Sequence, residues 1–169
     1  MPRYRRYFDN CQTVFLTVVT ADRLPWMASS RARTHVLEAL RRARFLHPFT
    51  HHGHVLLEDH LHLLLSPHPG TVVPRLVGSF KRAAIALLPS ATAVAGGRLW
   101  QRRYYDHVIR NTDDFTRHLD YIHFNPVKHG LAKSAGEWRW SSFHAWRRRG
   151  AYANDWGTRE PGHIVGMTE

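Results

Sequence analysis

Two histidines flank a leucine at His60-Leu61-His62, inside an apolar stretch that reads as a strand. Strand side chains alternate, so both imidazoles fall on one face, while Leu61, Leu63 and Leu65 fall on the other. Side-by-side imidazoles can begin a divalent-metal site. The spacing alone is a weak signal, because the chain holds 14 histidines and such pairs arise by chance. Further along, Tyr121 and Asn125 are four residues apart, so on a helix they lie one above the other. A carboxamide oxygen can complete a hard-metal site. A phenol beside that metal can attack a polarised phosphodiester. Plainer readings stand beside these: Tyr121 as a core aromatic, Asn125 as a helix cap before Pro126, and the histidines as a satisfied or solvated pair.

The elements that must position these residues can be read from periodicity. Thr13–Thr20, rich in Val, Thr and Phe, reads as a first strand. Ser29 or Ser30 can cap a helix to about Leu46, with Val36, Leu37, Leu40 and Ala43 on one side, ended by Pro48. His51–Leu57 and His60–Ser66 read as two strands joined by Glu58-Asp59, a tight hairpin. A second helix fits about Thr71–Leu88, with Val73, Leu76, Val77, Phe80, Ala84 and Leu87 at helical spacing. Ser90–Gly97 reads as a loop, and Leu99–Ile109 as a fourth strand. The order β-α-β-β-α-β predicts an α+β, ferredoxin-like antiparallel sheet with both helices on one face.

A third helix is expected over about Asp113–Asn125, capped by Asn111 or Thr112 and ended by Pro126 and Gly130. Its stripe of Phe115, Leu119 and Ile122 would pack on the open sheet face, bringing Tyr121 and Asn125 to its edge near the histidines, with Asp114 and His118 close by.

With 169 residues and 43% apolar content, the chain has one domain's length and enough material for a core. The formal charge is +11, and arginine makes most of it, since only Lys81, Lys128 and Lys133 are lysines. Guanidinium forks match phosphate oxygens, which biases such a chain toward nucleic acid. One cysteine, Cys11, excludes an internal disulfide framework and a Cys-rich zinc site, and reads as inert. No apolar run is long enough to span a bilayer. Arg3, Arg5 and Arg6 ahead of Thr13–Val19 mimic a signal peptide, but Asp9, Asn10 and Gln12 break the pattern. A cytoplasmic, non-membrane protein is expected.

The residues resemble a known family. His60-Leu61-His62 is similar to the His-hydrophobic-His motif of HUH endonucleases. The stretch Asp120-Tyr121-Ile122-His123-Phe124-Asn125-Pro126-Val127-Lys128-His129-Gly130-Leu131 resembles the signature of REP-associated tyrosine transposases, bacterial relatives of the single-tyrosine transposases of small insertion sequences. Tyr4-Arg5-Arg6, Tyr105-Asp106-His107-Val108-Ile109-Arg110-Asn111 and Trp138-Arg139-Trp140-Ser141-Ser142-Phe143 fit as well, so the resemblance covers nearly the whole chain. The family often has Pro in the turn before its histidine pair, where this chain has Glu58-Asp59.

The resemblance implies Tyr121 as the nucleophile, forming a 5′-phosphotyrosine link to single-stranded DNA. It implies a divalent metal ion, Mg²⁺ or Mn²⁺, held by His60, His62 and Asn125. It implies REP-type palindromes, folded as hairpins, as substrates, and a place at the bacterial nucleoid. Monomer and homodimer both stay open, since insertion-sequence relatives can work as dimers with exchanged tyrosines. The rival readings are a non-cleaving RNA- or DNA-binding sheet and a phosphodiester hydrolase using water.

Candidate phosphate contacts are Arg5, Arg6, Lys81, Arg82, Arg102, Arg103, Lys128, Arg147, Arg148 and Arg149. Tyr104 and Tyr105 are rival nucleophiles on a strand that turns only one of them to the open face. His51, His52 and His54 read as strand surface. Trp138, Trp140, Phe143 and Trp146 could stack on bases, but read as anchors of a terminal helix. The chain divides into a catalytic domain over 1–135 and an aromatic, basic extension over 136–169 packed on it.

Overall fold

The computed structural model describes residues 12–87 and 98–167. Four strands, β1 (Val14–Val19), β2 (Phe49–Leu56), β3 (His60–Pro67) and β4 (Tyr105–Val108), form one sheet in the order β2-β3-β1-β4. All neighbouring pairs are antiparallel. With α1 (Ser30–Leu46) between β1 and β2, and α2 (Val73–Leu87) between β3 and β4, this is the ferredoxin-like arrangement expected.

The first helix starts where a side chain can cap it: Ser29 Oγ accepts the Ala32 N–H at 3.1 Å. The two-residue turn Glu58-Asp59 closes the β2–β3 hairpin, with Leu57 N–H donating to the His60 carbonyl at 2.9 Å. Val14, Leu16, Val18, Leu61, Leu63 and Leu65 form one core with Val36, Ala39, Leu76 and Phe80 of the two helices.

The other face of the sheet is covered by α3 (Thr112–Lys128) and by segments that follow it. Leu119, Ile122 and Phe124 join Phe15, Val55, Leu57 and Leu64 in a second core, with Phe115 packed at its margin. Asn111 caps α3 by accepting the Asp114 N–H at 2.9 Å. A glycine lets α3 come this close: a Cβ on Gly53 would lie 2.8 Å from Leu119 Cδ1. Gly53 sits at a register irregularity of β2.

Two expected boundaries move. Pro126 does not end α3, which runs on to Lys128 with the proline buried inside it. The proline costs one main-chain bond, to the Ile122 carbonyl. The following turn is still held by His129 N–H on the Asn125 carbonyl and Leu131 N–H on the Pro126 carbonyl, at 3.0 and 2.8 Å. Gly130, at φ +67°, then ends the helix. The fourth strand is also shorter than Leu99–Ile109. Trp100 makes only an isolated bridge to Thr20 before regular pairing begins at Tyr105. Between them, the carbonyls of Gln101, Arg102 and Arg103 accept from Lys81 Nζ at 2.7, 3.5 and 3.3 Å, which draws this segment toward α2 and off the sheet.

The segment after α3 closes against the β2 edge. Leu56 N–H donates to the Trp140 carbonyl and Ser142 N–H to the His54 carbonyl, both at 2.9 Å. A short helix α4 (Phe143–Arg148) follows. Trp138 and Trp146 donate their indole N–H to the carbonyls of Leu56 and His52, at 3.0 and 2.7 Å. With Phe143 fully buried and Trp140 nearly so, these aromatics anchor the extension. No helix among the described residues is long and apolar enough to cross a membrane.

Candidate functional site

The histidine pair and the tyrosine helix meet. His60 and His62 are buried on the α3 side of the sheet, and their ring centroids are 5.0 Å apart. The Tyr121 ring, only 2% exposed, stands 5.3 Å from the His62 ring and edge-on to it. Phe15 stacks on His62 at 5.2 Å and meets Tyr121 at 6.1 Å, so one phenylalanine packs against both. Lys128 Nζ lies 4.8 Å from the Tyr121 ring centroid, and the His129 ring lies 5.2 Å from that of His60.

The imidazoles are oriented from behind. His60 Nδ1 is 2.6 Å from Asp59 Oδ1. Burial pushes the Asp59 carboxyl up, but hydrogen bonds and charge from His60 and Arg23 outweigh it and hold it below the usual carboxylate range. The carboxylate therefore accepts from His60 Nδ1–H, and in a neutral ring that leaves the lone pair on Nε2, the tautomer that ligates metals. His62 Nδ1 is 2.9 Å from Thr17 Oγ1, its neighbour across the β1–β3 ladder. Asp59 and Thr17 were not singled out from sequence. A carboxylate adjoining a histidine pair, and a threonine on the alternating face of the partner strand, were the available signals. Asp59 is also one of the turn residues that stand where the family often has proline.

Asn125 lies one turn of α3 beyond Tyr121 and one turn before His129, the two residues whose rings meet His62 and His60. It is wholly buried, and neither its amide oxygen nor its nitrogen has a hydrogen-bond partner among the described residues. Leaving a buried carboxamide unsatisfied costs about 1–3 kcal/mol, so such a group calls for an explanation. It is not the simple cap that its place before Pro126 suggested, since α3 continues past it. A carboxamide oxygen on the helix that faces two oriented imidazoles could serve, with them, as a ligand to a divalent cation.

A second group, His107, Asp114 and His118, brings three possible ligand atoms within 4.8 Å of one another. Its atoms are engaged differently. Asp114 Oδ2 accepts the Arg110 N–H at 3.0 Å and lies 2.9 Å from His107 Nε2. His118 Nδ1 faces two acceptors, the Asp114 carbonyl at 2.8 Å and Oδ1 at 3.0 Å, so that nitrogen carries the proton. Burial pushes Asp114 up, but His107, the Arg110 N–H and His118 bring it below the ordinary carboxylate value. Burial lowers His118. This cluster braces α3 against β4, and His118 packs on Phe15 at 4.8 Å.

The remaining candidates fall elsewhere. Tyr105 is 56% exposed on the face of Phe15, while Tyr104 packs against the helix-side core. His51, His52 and His54 are not free strand surface but half-buried and hydrogen-bonded: His51 Nε2 to His54 Nδ1 at 3.1 Å, and His52 Nε2 to Ser66 Oγ at 2.7 Å. Burial lowers all three, His51 to about 4 and His54 to about 3. Arg102 and Arg103 are exposed near the β4 edge, and Arg148, the last residue of α4, and Arg149, its C-cap, are exposed as well. Arg82 is exposed and donates to Ser79 Oγ at 3.0 Å, while Arg147 is half-buried over the Phe143 ring. Lys81 is engaged with the 101–103 carbonyls. Arg5, Arg6 and Cys11 lie outside the described residues.

Fold and site together define a ferredoxin-like domain with a helical tyrosine laid against a histidine pair. No family model matches the chain. It is 33% identical to the REP-associated tyrosine transposase of Escherichia coli (strain K12) over 159 residues, covering 92% of this chain and 91% of that protein. A relative in Haemophilus influenzae, described as a putative REP-associated tyrosine transposase, is 31% identical over 169 residues, covering 93% and 94%. Among solved structures, that of a REP-associated tyrosine transposase bound to a REP hairpin superposes with a TM-score of 0.81 at 28% identity, covering the whole of both chains. The chain belongs to the REP-associated tyrosine transposase family.

Proposed function

We propose that the protein is a metal-dependent single-stranded DNA endonuclease and strand transferase of the HUH type, acting beside hairpin-forming REP-type palindromes. The observation that carries this reading is the buried Asn125 carboxamide, unpartnered among the described residues, on the same helix as a tyrosine whose ring meets His62. Support for the substrate comes from the solved relative, which is bound to a REP hairpin. His60, His62 and Asn125 would hold the metal. When bound, it would polarise the scissile phosphate.

The chain's own residues do the rest. The Tyr121 hydroxyl oxygen attacks phosphorus. The bond to the 3′ oxygen of the preceding nucleotide breaks, the leaving strand takes a proton to become a 3′-hydroxyl, and Tyr121 keeps the 5′-phosphate. Attack by a 3′-hydroxyl on that phosphotyrosine reverses the step and joins strands without ATP. Lys128, whose Nζ lies over the tyrosine ring and donates to the Met167 carbonyl, would add a positive charge beside the attacked phosphate. Arg82, Arg102, Arg103, Arg148 and Arg149 offer further phosphate contacts on the surface, with Arg147 contributing from its perch on Phe143. Residues 1–135 would form the catalytic unit and 136–169 an extension packed on it, in a protein working at the bacterial nucleoid.

The test is a denaturing gel with a labelled hairpin oligonucleotide carrying a single-stranded flank. Wild type should yield a covalent protein–DNA adduct and a free 3′-hydroxyl strand in Mg²⁺ or Mn²⁺, and neither in chelator. The same sequence annealed to its complement should be cut little, because stacked duplex bases hold the phosphate away from Tyr121. Cleavage without an adduct would favour a hydrolase using water. Metal-indifferent binding without cleavage would favour a plain binding module.

A further inference from the structure

Asp120 immediately precedes Tyr121 in α3. It is only 6% exposed, and both of its oxygens are engaged by the chain beyond α4. Tyr152 Oη donates to Oδ1 at 2.7 Å, and His163 Nε2 lies 2.8 Å from Oδ2. On the far side of Tyr152, its oxygen is 2.9 Å from Nδ1 of the fully buried His123. The other nitrogen of that ring, Nε2, is 2.8 Å from Ser142 Oγ. Ser142 Oγ in turn accepts the His54 N–H at 2.9 Å.

Counting protons gives this chain a direction. A phenol has one proton, and here a carboxylate holds it, so the Tyr152 oxygen must accept from His123. Nδ1 of His123 therefore carries the proton and Nε2 has the lone pair. Nε2, at 2.8 Å, is then the nearer acceptor for the Ser142 hydroxyl proton, the His54 carbonyl lying at 3.2 Å. From the β2 backbone through Ser142, His123 and Tyr152, every bond points to Asp120.

Asp120 and His123 are three residues apart, so they sit one turn apart on one side of α3, beside the line of Tyr121 and Asn125. Two anchors a turn apart resist rotation of the helix about its own axis. A tyrosine hydroxyl stands about 8–9 Å from a helix axis, so a twist of about 10° moves it by about 1.5 Å. A misplacement of about 1 Å in a reacting group can cost on the order of 100-fold in rate.

We propose that Asp120, His123 and Tyr152 are positioning residues that set the rotation of the tyrosine helix and so aim the Tyr121 hydroxyl, making the chain beyond α4 a working part of the active site. This rests on Tyr121 being the nucleophile. The deciding variant is Tyr152→Phe in the full chain. It deletes one hydroxyl and keeps the ring that packs on Phe143 and Trp156, at 5.1 and 4.4 Å. With a labelled REP-type hairpin and Mn²⁺, the variant should bind within two-fold of wild type but form the covalent adduct at least 10-fold more slowly in a single turnover. Histidine ¹⁵N spectra of wild type should show His123 protonated at Nδ1, and in the variant the proton should move to Nε2, where Ser142 can accept it. Full-rate adduct formation by Tyr152→Phe, or wild-type His123 protonated at Nε2, would overturn the proposal. A wild type that forms no adduct would instead sink the nucleophile reading, and the spectra would still decide the direction of the relay.

Discussion

Toward α1 and α2, β3 presents Leu61, Leu63 and Leu65, each at most 1% exposed. Toward α3 it presents His60 and His62, buried just as completely, with Leu64 beside them. Depth of burial does not separate the two faces, but polarity does. The leucines leave water at a gain of about 1.5–3 kcal/mol each. The histidines and Asn125 leave it at a cost that only hydrogen bonds or a ligand can offset. One strand thus stabilises the fold with every second residue and, on the proposed function, carries the chemistry with those between. The two faces should respond to mutation in opposite ways, and each of the following experiments can break or sharpen that contrast.

The largest effects belong to the polar face. Tyr121→Phe removes one hydroxyl from a packed ring and should abolish adduct formation, a loss of at least about 1,000-fold, since nothing replaces a missing nucleophile. Hairpin binding and folding should stay near wild type. His60→Ala or His62→Ala should abolish cleavage as well, each removing one of the three proposed metal ligands. An adduct that persists in Tyr121→Phe would transfer the role to Tyr105, the exposed tyrosine on the Phe15 face.

Next comes the apolar face. Leu63→Ala opens a cavity between the sheet and α1–α2 and should cost about 2–5 kcal/mol of stability by urea unfolding. Below its new melting temperature, cleavage per folded molecule should remain within a few-fold of wild type. A selective loss of catalysis in a fully folded Leu63→Ala protein would show that the two faces are not separable.

The contrast also has a pH dependence, at the edge strand β2. Burial, reinforced by Arg44 and His52, lowers His51 to about 4, and burial with His51 lowers His54 to about 3. Folded, these rings stay neutral, whereas unfolded they take up protons below about pH 6.5. Their contribution to stability is therefore complete above pH 6.5 and lost as pH falls through that value toward 4 and then 3. Each proton bound only by the unfolded chain removes about 1.4 kcal/mol per pH unit. His54→Leu should flatten the slope of unfolding free energy between pH 6.5 and 4.5 by up to one such proton. An unchanged slope would show that His54 does not titrate with folding.

How far the site was legible follows from what each residue depends on. The His60/His62 pair was readable because strand alternation is strictly local, and Tyr121 with Asn125 because helix spacing is. Pro126 misled, since a proline inside a helix costs one bond that tertiary packing can outweigh. Thr17 and Asp59 were missed because their roles come from ladder register and turn geometry, and neither is a local pattern. The relay from the His54 backbone through Ser142 to Asp120 joins residues up to 88 positions from their partners, a distance that no periodicity crosses. The early part of the expected fourth strand was misread because Lys81, on α2, holds three of its main-chain carbonyls, a tertiary contact that no local pattern signals.

The smallest expected effect is the most discriminating, because it should have opposite signs for stability and activity. Asn125 is buried with an amide that nothing among the described residues satisfies. Leucine has nearly its shape and no polar atoms. In chelator, where no cation can occupy the site, Asn125→Leu should relieve a desolvated polar group and raise stability by about 1 kcal/mol. With Mn²⁺ present, wild type should gain stability from binding, since a ligand that binds only the folded state shifts unfolding by mass action. The variant should gain less, having lost a ligand, and should cleave more slowly than wild type, though less severely impaired than His60→Ala, because an amide is the weaker ligand. Thermal unfolding of both proteins with and without Mn²⁺, together with one adduct gel, makes the comparison. A variant less stable than wild type in chelator would mean that the carboxamide stabilises the metal-free fold, and that its burial has a structural cause. A variant with the same Mn²⁺-induced stabilisation as wild type would remove Asn125 from the metal site and leave the histidine pair to hold the ion without it.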